Sequence, residues 1–276
     1  MKRVLTALVL IPLVLFLVFL GPRWQWLFTL AVACVAALAG WEFLGLADHA
    51  GATSPRIVVI LALLALFFGN FEWPDWTATL FVILSLILLV CCTFFRPVDQ
   101  MITDSASSVL CLVYIGLTLT ALPALHDQSN GPSLVVFLFC VVWAGDIAAL
   151  YAGRLWGRHK LVPRLSPGKT WEGSIASLFG SLLVAAGLLA LAAQLESMNM
   201  TRLFYPDGYL YWLSLAALIN VAAQVGDLVE SALKRSAGVK DSGTILPGHG
   251  GVLDRIDALL LAAPVLWYVQ ILHQRF

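Results

Sequence analysis

Three aspartates in the C-terminal half of the chain stand at spacings suited to chemistry on phosphates. Asp254 and Asp257, in "LDRID", are three positions apart and share a face if the segment is helical. Asp227 and Glu230, in "GDLVES", repeat that spacing upstream. The segment 230–251 between them reads as a connecting loop, so two helix ends can lie side by side and bring Asp227 toward Asp254 and Asp257. Two unit charges about 4 Å apart interact by roughly 4 kcal/mol at an effective dielectric of 20. Like charges so close need a cation. Hard oxygen ligands with no cysteine or histidine pair nearby point to Mg²⁺ or a similar ion, which works with one or two carboxylates plus substrate phosphates.

The cations around these aspartates fit the same chemistry. Lys234, Arg235 and Lys240 precede a "PGHGG" run, whose glycines permit positive φ and let backbone N–H groups approach an anion. Such a loop leading into a helix N-terminus suits a phosphate. Arg255 lies between the two paired aspartates. Upstream, "SPGKTWEG" sets Lys169 and Thr170 just before another helix, and Asp146 lies well inside an apolar run. This is not a P-loop: the Gly-x4-Gly-Lys spacing is absent and no strand is expected before it. Plainer readings stand beside these. The aspartates can pair with Lys234, Arg235 and Arg255, and the lysines can serve as topology signals. Asp241 is as readily a solvated loop residue, and His249 a phosphate donor or a plain loop histidine.

The elements that must carry these residues are set by an apolar composition. Of 276 residues, 61% are hydrophobic and 12% charged, against roughly a quarter charged in a soluble domain. Apolar runs of about 20 residues match a hydrocarbon core of about 30 Å. The chain therefore reads as an all-α, polytopic transmembrane helical bundle. Nine spans are expected, at 4–20, 24–46, 57–71, 76–95, 105–125, 133–152, 174–195, 209–229 and 252–272. Lys2 and Arg3 before the first run imitate a secretory signal, but no small-x-small cleavage site follows, and it reads as a retained helix. With nine crossings, all of the 16 lysines and arginines except Arg23, Arg202 and Arg275 fall on the side of the N-terminus. By the positive-inside rule that side is the cytoplasm.

Both polar loops, 153–173 and 230–251, then face the cytoplasm. The chain divides into N-terminal spans, 1–135, and a C-terminal region, 136–276, that carries the chemistry. The net charge of zero gives no argument for nucleic acid. Cys34, Cys91, Cys92, Cys111 and Cys140 lie in apolar runs with no metal-binding spacing, as buried thiols would. A transporter would call for repeats, interrupted helices and midplane charges; here the charges gather at helix ends. Residues alone lead to metal-dependent phosphoryl or nucleotidyl transfer on a lipid, without choosing the nucleotide.

The same residues resemble a long family pattern. Ser231, Lys234, Arg235, Lys240, Asp241, His249, Gly250, Gly251, Asp254, Arg255 and Asp257 fill the Ser-x-x-Lys-Arg-x4-Lys-Asp and His-Gly-Gly-x-x-Asp-Arg-x-Asp signature of the phosphatidate cytidylyltransferases, or CDP-diacylglycerol synthases. The likeness reaches upstream through Asp227 and "SPGKTWEG" to Asp146; the first half is similar only in hydropathy. The resemblance implies the bacterial type, placed in the cytoplasmic (inner) membrane with its site facing the cytoplasm. Its substrates would be CTP and phosphatidic acid, its cofactor Mg²⁺, with a second cation such as K⁺ associated with the site, and its assembly a homodimer. On that basis Asp227, Asp254 and Asp257 would hold the metal, and Lys234 and Arg235 would act with them in catalysis. Lys169, Thr170, Lys240, Asp241, His249, Gly250, Gly251, Arg255 and Asp146 would bind substrate. A CTP-dependent kinase of lipid alcohols is the rival within the same chemistry.

Overall fold

The computed structural model of the chain describes residues 12–200, 203–245 and 250–275. Residues 12–18 form α1. There follow α2 (Gln25–His49), α3 (Arg56–Glu72), α4 (Thr77–Phe95), α5 (Met101–Cys111), α6 (Thr118–His126) and α7 (Gly131–Trp156). A hairpin of β1 (Lys160–Val162) and β2 (Ser166–Thr170) leads to α8 (Trp171–Ser197), α9 (Tyr209–Ser236) and α10 (Leu253–Arg275). A π-helical stretch, Leu112–Leu117, joins α5 to α6 without a break.

Seven stretches among the described residues are long and apolar enough to cross a membrane: Gln25–His49, Pro74–Phe95, Val98–His126, Gly131–Trp156, Trp171–Ser197, Tyr209–Ser236 and Leu253–Arg275. The polytopic helical bundle expected from composition is what the chain forms. The other two expected crossings are not among the seven. Span 57–71 is helical as α3 but only 17 residues long, and 4–20 lies partly outside the described residues.

Two expected loops are shorter than their sequence suggested. Residues 153–156 extend α7, and 160–170 form the antiparallel hairpin, a departure from a purely helical chain. Pro163 sets the backbone for the second position of a turn closed by Leu165 N–H on the Val162 carbonyl at 3.2 Å. Likewise α9 runs on to Ser236, because "LVESALKRS" is made largely of good helix formers.

The chain packs as two compact units, one reaching to Pro123 and resuming at Ala232–Ile256, the other comprising Ala124–Ser231 and the chain from Asp257. In the first, Leu63, Leu66 and Phe67 of α3 are buried with Leu112 and Ile115 of the π-helical stretch. Asp104 of α5 is fully buried there, yet it serves structure: it accepts the Thr53 N–H at 2.6 Å and pairs with Arg96 at 3.3 Å. By contrast α4 leaves Val82, Ile83, Leu86 and Phe94 exposed, as a face toward lipid tails would be, where apolar exposure carries no hydrophobic cost.

In the second unit α7 and α8 approach through small residues. The Ser181 hydroxyl donates to the Val141 carbonyl at 2.7 Å, and the Asn220 amide of α9 donates to Ser177 and Ser181 at 2.9 and 2.8 Å. All three side chains are buried, and each finds a partner, which a polar group among apolar spans requires. Away from this ladder, Trp212 of α9 meets Phe137 and Tyr205 edge-on at 5.1 and 5.0 Å.

Candidate functional site

In the second unit a cavity of about 480 Å³ is lined by Asp146, Lys169, Thr170, Ser174, Gln224 and Asp227, among others. Lys169 is the penultimate residue of β2, and Thr170 ends the strand as the N-cap of α8, its hydroxyl oxygen accepting the Gly173 N–H at 3.1 Å. The cap satisfies one of the N–H groups that a helix start leaves without an intrahelical partner. Glu172 adds a second tie, accepting the His159 N–H at 3.2 Å and meeting its ring nitrogen at 2.7 Å. Lys169 is thereby held on a fixed strand end. Its ammonium lies 2.7 Å from Asp227 Oδ2 of α9, with side chains 23% and 37% exposed, so the pair stays open to solvent.

Behind this pair the cavity floor is polar. The Ser174 hydroxyl donates to Gln224 Oε1, and Gln224 Nε2 donates to Asn220 Oδ1 at 2.7 Å. Neither Ser174 nor Gln224 was a sequence candidate; polar side chains inside otherwise apolar spans were the signal available for both. Two positions further, Gly226 lets α9 close on α10. A Cβ there would lie 2.6 Å from the Asp257 carbonyl oxygen and 3.4 Å from Ala258 Cα. Asp227 and Asp257 therefore flank one tight helix contact.

In the first unit Asp254 opens α10 and is enclosed by donors. Lys234 Nζ lies 2.6 Å from Oδ1, while Oδ2 receives the Ser242 N–H at 3.0 Å and the Gly251 N–H at 2.8 Å and lies 3.0 Å from the Ser242 hydroxyl oxygen. Here the side chains are 13% and 6% exposed. Glu42 of α2, which no sequence pattern singled out, also enters this cluster through Ser242.

The remaining candidates are spread around these two groups. Arg235 donates to the Val239 carbonyl at 3.2 Å and so braces its own loop. Lys240, Asp241 and Arg255 are exposed. Gly250 has φ of 78°, a left-handed conformation that glycine adopts without strain, whereas Gly251 does not. His249 lies outside the described residues. Asp146 is exposed at the cavity of the second unit.

Among the described residues no three carboxylate, thiol or imidazole side chains gather as a ready metal cage. The donor chemistry nevertheless fits Mg²⁺, which needs only one or two carboxylates and takes its other ligands from phosphates and water. Asp227 and Asp254 each already hold a monocation, a lysine ammonium at 2.7 and 2.6 Å, on one oxygen.

Residues 1–272 match the family described as the Cytidylyltransferase family, so an α-helical membrane chain with paired Lys–Asp groups belongs to that family. Its relatives are more specific. It is 33% identical over 272 residues to a phosphatidate cytidylyltransferase of Staphylococcus haemolyticus, covering 96% of both chains. It is 31% identical to the protein of that name from Bacillus subtilis, over 97% of this chain and 96% of the other. To the Brucella suis phosphatidate cytidylyltransferase it is 45% identical over 161 residues, which is 56% of this chain and 54% of that protein. The match thus spans about half the length of the Brucella relative.

Proposed function

We propose that the chain transfers the cytidylyl group of CTP to phosphatidic acid, giving CDP-diacylglycerol and pyrophosphate. The observation that carries this reading is the Lys169–Asp227 pair at a polar cavity between membrane-spanning helices, in a chain similar from end to end to relatives of that name. A phosphate oxygen of phosphatidic acid attacks the α-phosphorus of CTP in line. A new P–O bond forms as the bond from the α-phosphorus to the α–β bridging oxygen breaks, and pyrophosphate leaves with that electron pair. A phosphomonoester is largely ionised near neutral pH, so the attacking oxygen needs no dedicated base.

The residues on hand act by placing charge. Lys169 and Lys234 neutralise phosphate oxygens, and Arg235, Lys240 and Arg255 add positive charge along the triphosphate, chiefly as charge develops on the leaving group. Thr170 and the backbone at Gly250 and Gly251, with His249, Asp241 and Asp146, complete the substrate contacts. Asp227, Asp254 and Asp257 would hold Mg²⁺, with K⁺ as a second cation. When bound, such an ion supplies charge neutralisation and alignment of phosphate oxygens. Positioning and charge then account for most of the rate.

The arrangement in the cell is part of the proposal: nine crossings, N-terminus and site on the cytoplasmic side of the bacterial inner membrane, and a homodimer. Lys and Arg distribution supports the orientation. The test is incubation of the purified chain with phosphatidic acid and CTP labelled at the α or the γ position. Label from the α position in the lipid product is expected. Label only from the γ position would replace the reading with a lipid kinase.

A further inference from the structure

Glu42 sits in α2, in the half of the chain that offered no chemical pattern, and is only 4% exposed. Its Oε2 accepts the Leu253 N–H at 2.8 Å and the Ser242 hydroxyl at 3.1 Å. Its Oε1 is buried with no hydrogen-bond partner among the described residues. Leu253 is the first residue of α10, and Val252 before it has no side-chain acceptor to cap the helix. Glu42 supplies that acceptor from a distant part of the chain. The Ser242 hydroxyl, with one proton to give, lies between Glu42 Oε2 and Asp254 Oδ2. Glu42, Ser242, Asp254 and Lys234 therefore form one continuous chain of contacts.

Two glycines make room for it. A Cβ at Gly251 would lie 2.1 Å from Ser242 Oγ and 2.4 Å from Glu42 Oε2, and one at Gly243 would lie 2.4 Å from Glu42 Oε1. Gly251 has no positive φ, so its lack of a side chain answers to Glu42 rather than to a special turn. Gly243 and Gly251 both close on this carboxyl.

We propose that Glu42 is the positioning residue for Ser242 and the start of α10: through Ser242 and the first N–H of α10 it fixes Asp254, and with it Lys234, in the geometry that the transfer uses. This rests on the cytidylyl-transfer reading. Glu42 touches neither substrate in this scheme and acts wholly through the loop.

The test uses the full chain in lipid nanodiscs with CTP and phosphatidic acid, comparing Glu42→Ala, Glu42→Gln, Ser242→Ala and the Glu42→Ala/Ser242→Ala double variant. Misplacement of a reacting group by about 1 Å can cost about 100-fold. Glu42→Ala is therefore expected to lower kcat about 100-fold with KM for phosphatidic acid within about twofold, a split that marks loss of transition-state contacts. Glu42→Gln, whose amide oxygen can accept the same two bonds, recovers activity to within about tenfold of wild type. The double variant is no worse than the poorer single one, since both cut the same chain of contacts. Hydrogen exchange of 241–253 rises in Glu42→Ala and not in Glu42→Gln, with α7 and α8 unchanged. The proposal is overturned by additive losses, by unchanged exchange in the loop, or by faster exchange with normal kcat. If Glu42→Ala does not fold, Ser242→Ala with and without Glu42→Gln tests additivity in its place. A wild-type chain that labels no lipid removes the functional reading instead, while the exchange arm still judges the tether.

Discussion

Two lysine–aspartate pairs of nearly equal length do different work. Lys169–Asp227 is 2.7 Å long with the aspartate 37% exposed; Lys234–Asp254 is 2.6 Å long with the aspartate 6% exposed. Asp227 takes one further contact, a long one of 3.4 Å from Ser231, whereas Asp254 takes three from Ser242 and Gly251. The open pair leaves both partners accessible to solvent. The enclosed pair is held by its surroundings. A salt bridge seen as two residue types in a sequence says nothing of this difference; burial and the number of competing donors decide it.

The largest effect that would sharpen the contrast lies at the open pair. Asp227→Asn is expected to lower lipid formation by about 1,000-fold while leaving folded protein in the membrane, because it removes charge at a group that solvent already reaches. Asp227→Asn with near-normal activity at ordinary Mg²⁺ would take this residue out of the metal set. At the enclosed pair the loss should appear in stability. Lys234→Met leaves Asp254 buried without its counter-charge and should cost about 3–5 kcal/mol, read as a lower midpoint of unfolding in detergent. Lys169→Met at the exposed pair should cost about 1 kcal/mol or less by the same measurement. Equal shifts in the two variants would break the comparison.

Smaller effects test what holds each pair in place. Gly226→Ala forces a methyl group against the Asp257 carbonyl, now 2.6 Å from that position. Overpacking of this kind costs about 1–3 kcal/mol, and activity should fall with stability as α9 and α10 part. Thr170→Ala removes the α8 cap at a cost of about 1 kcal/mol, and Thr170→Ser should restore it. Thermal midpoints of the three proteins check this, and a Ser variant as weak as Ala would show that the hydroxyl is not what fixes Lys169.

Much of the arrangement was legible because it is local. Apolar runs of span length marked the long helices, and "SPGKTWEG" and "LDRID" marked the starts of α8 and α10 with their charged residues in place. Other features depended on what surrounds a residue. The β1–β2 hairpin is a short polar stretch whose pairing needs both strands at once, and the last turns of α9 were hidden by a density of charge that resembles a loop. Glu42 did carry a signal, a carboxyl inside "AGWEFLG", since acidic residues in apolar spans are costly and kept for a reason. Its partners Ser242 and Leu253 lie 200 and 211 positions away, beyond the reach of any spacing rule.

That separation has a consequence for the birth of the protein. At about 5–20 residues per second of synthesis, Ser242 leaves the ribosome roughly 10–40 seconds after Glu42. For that time the Glu42 carboxyl lacks the Ser242 and Leu253 donors. Joining of Glu42 to Ser242 and Leu253 is therefore a late event of biogenesis, and a nascent chain truncated before residue 242 lacks the donors this cluster needs.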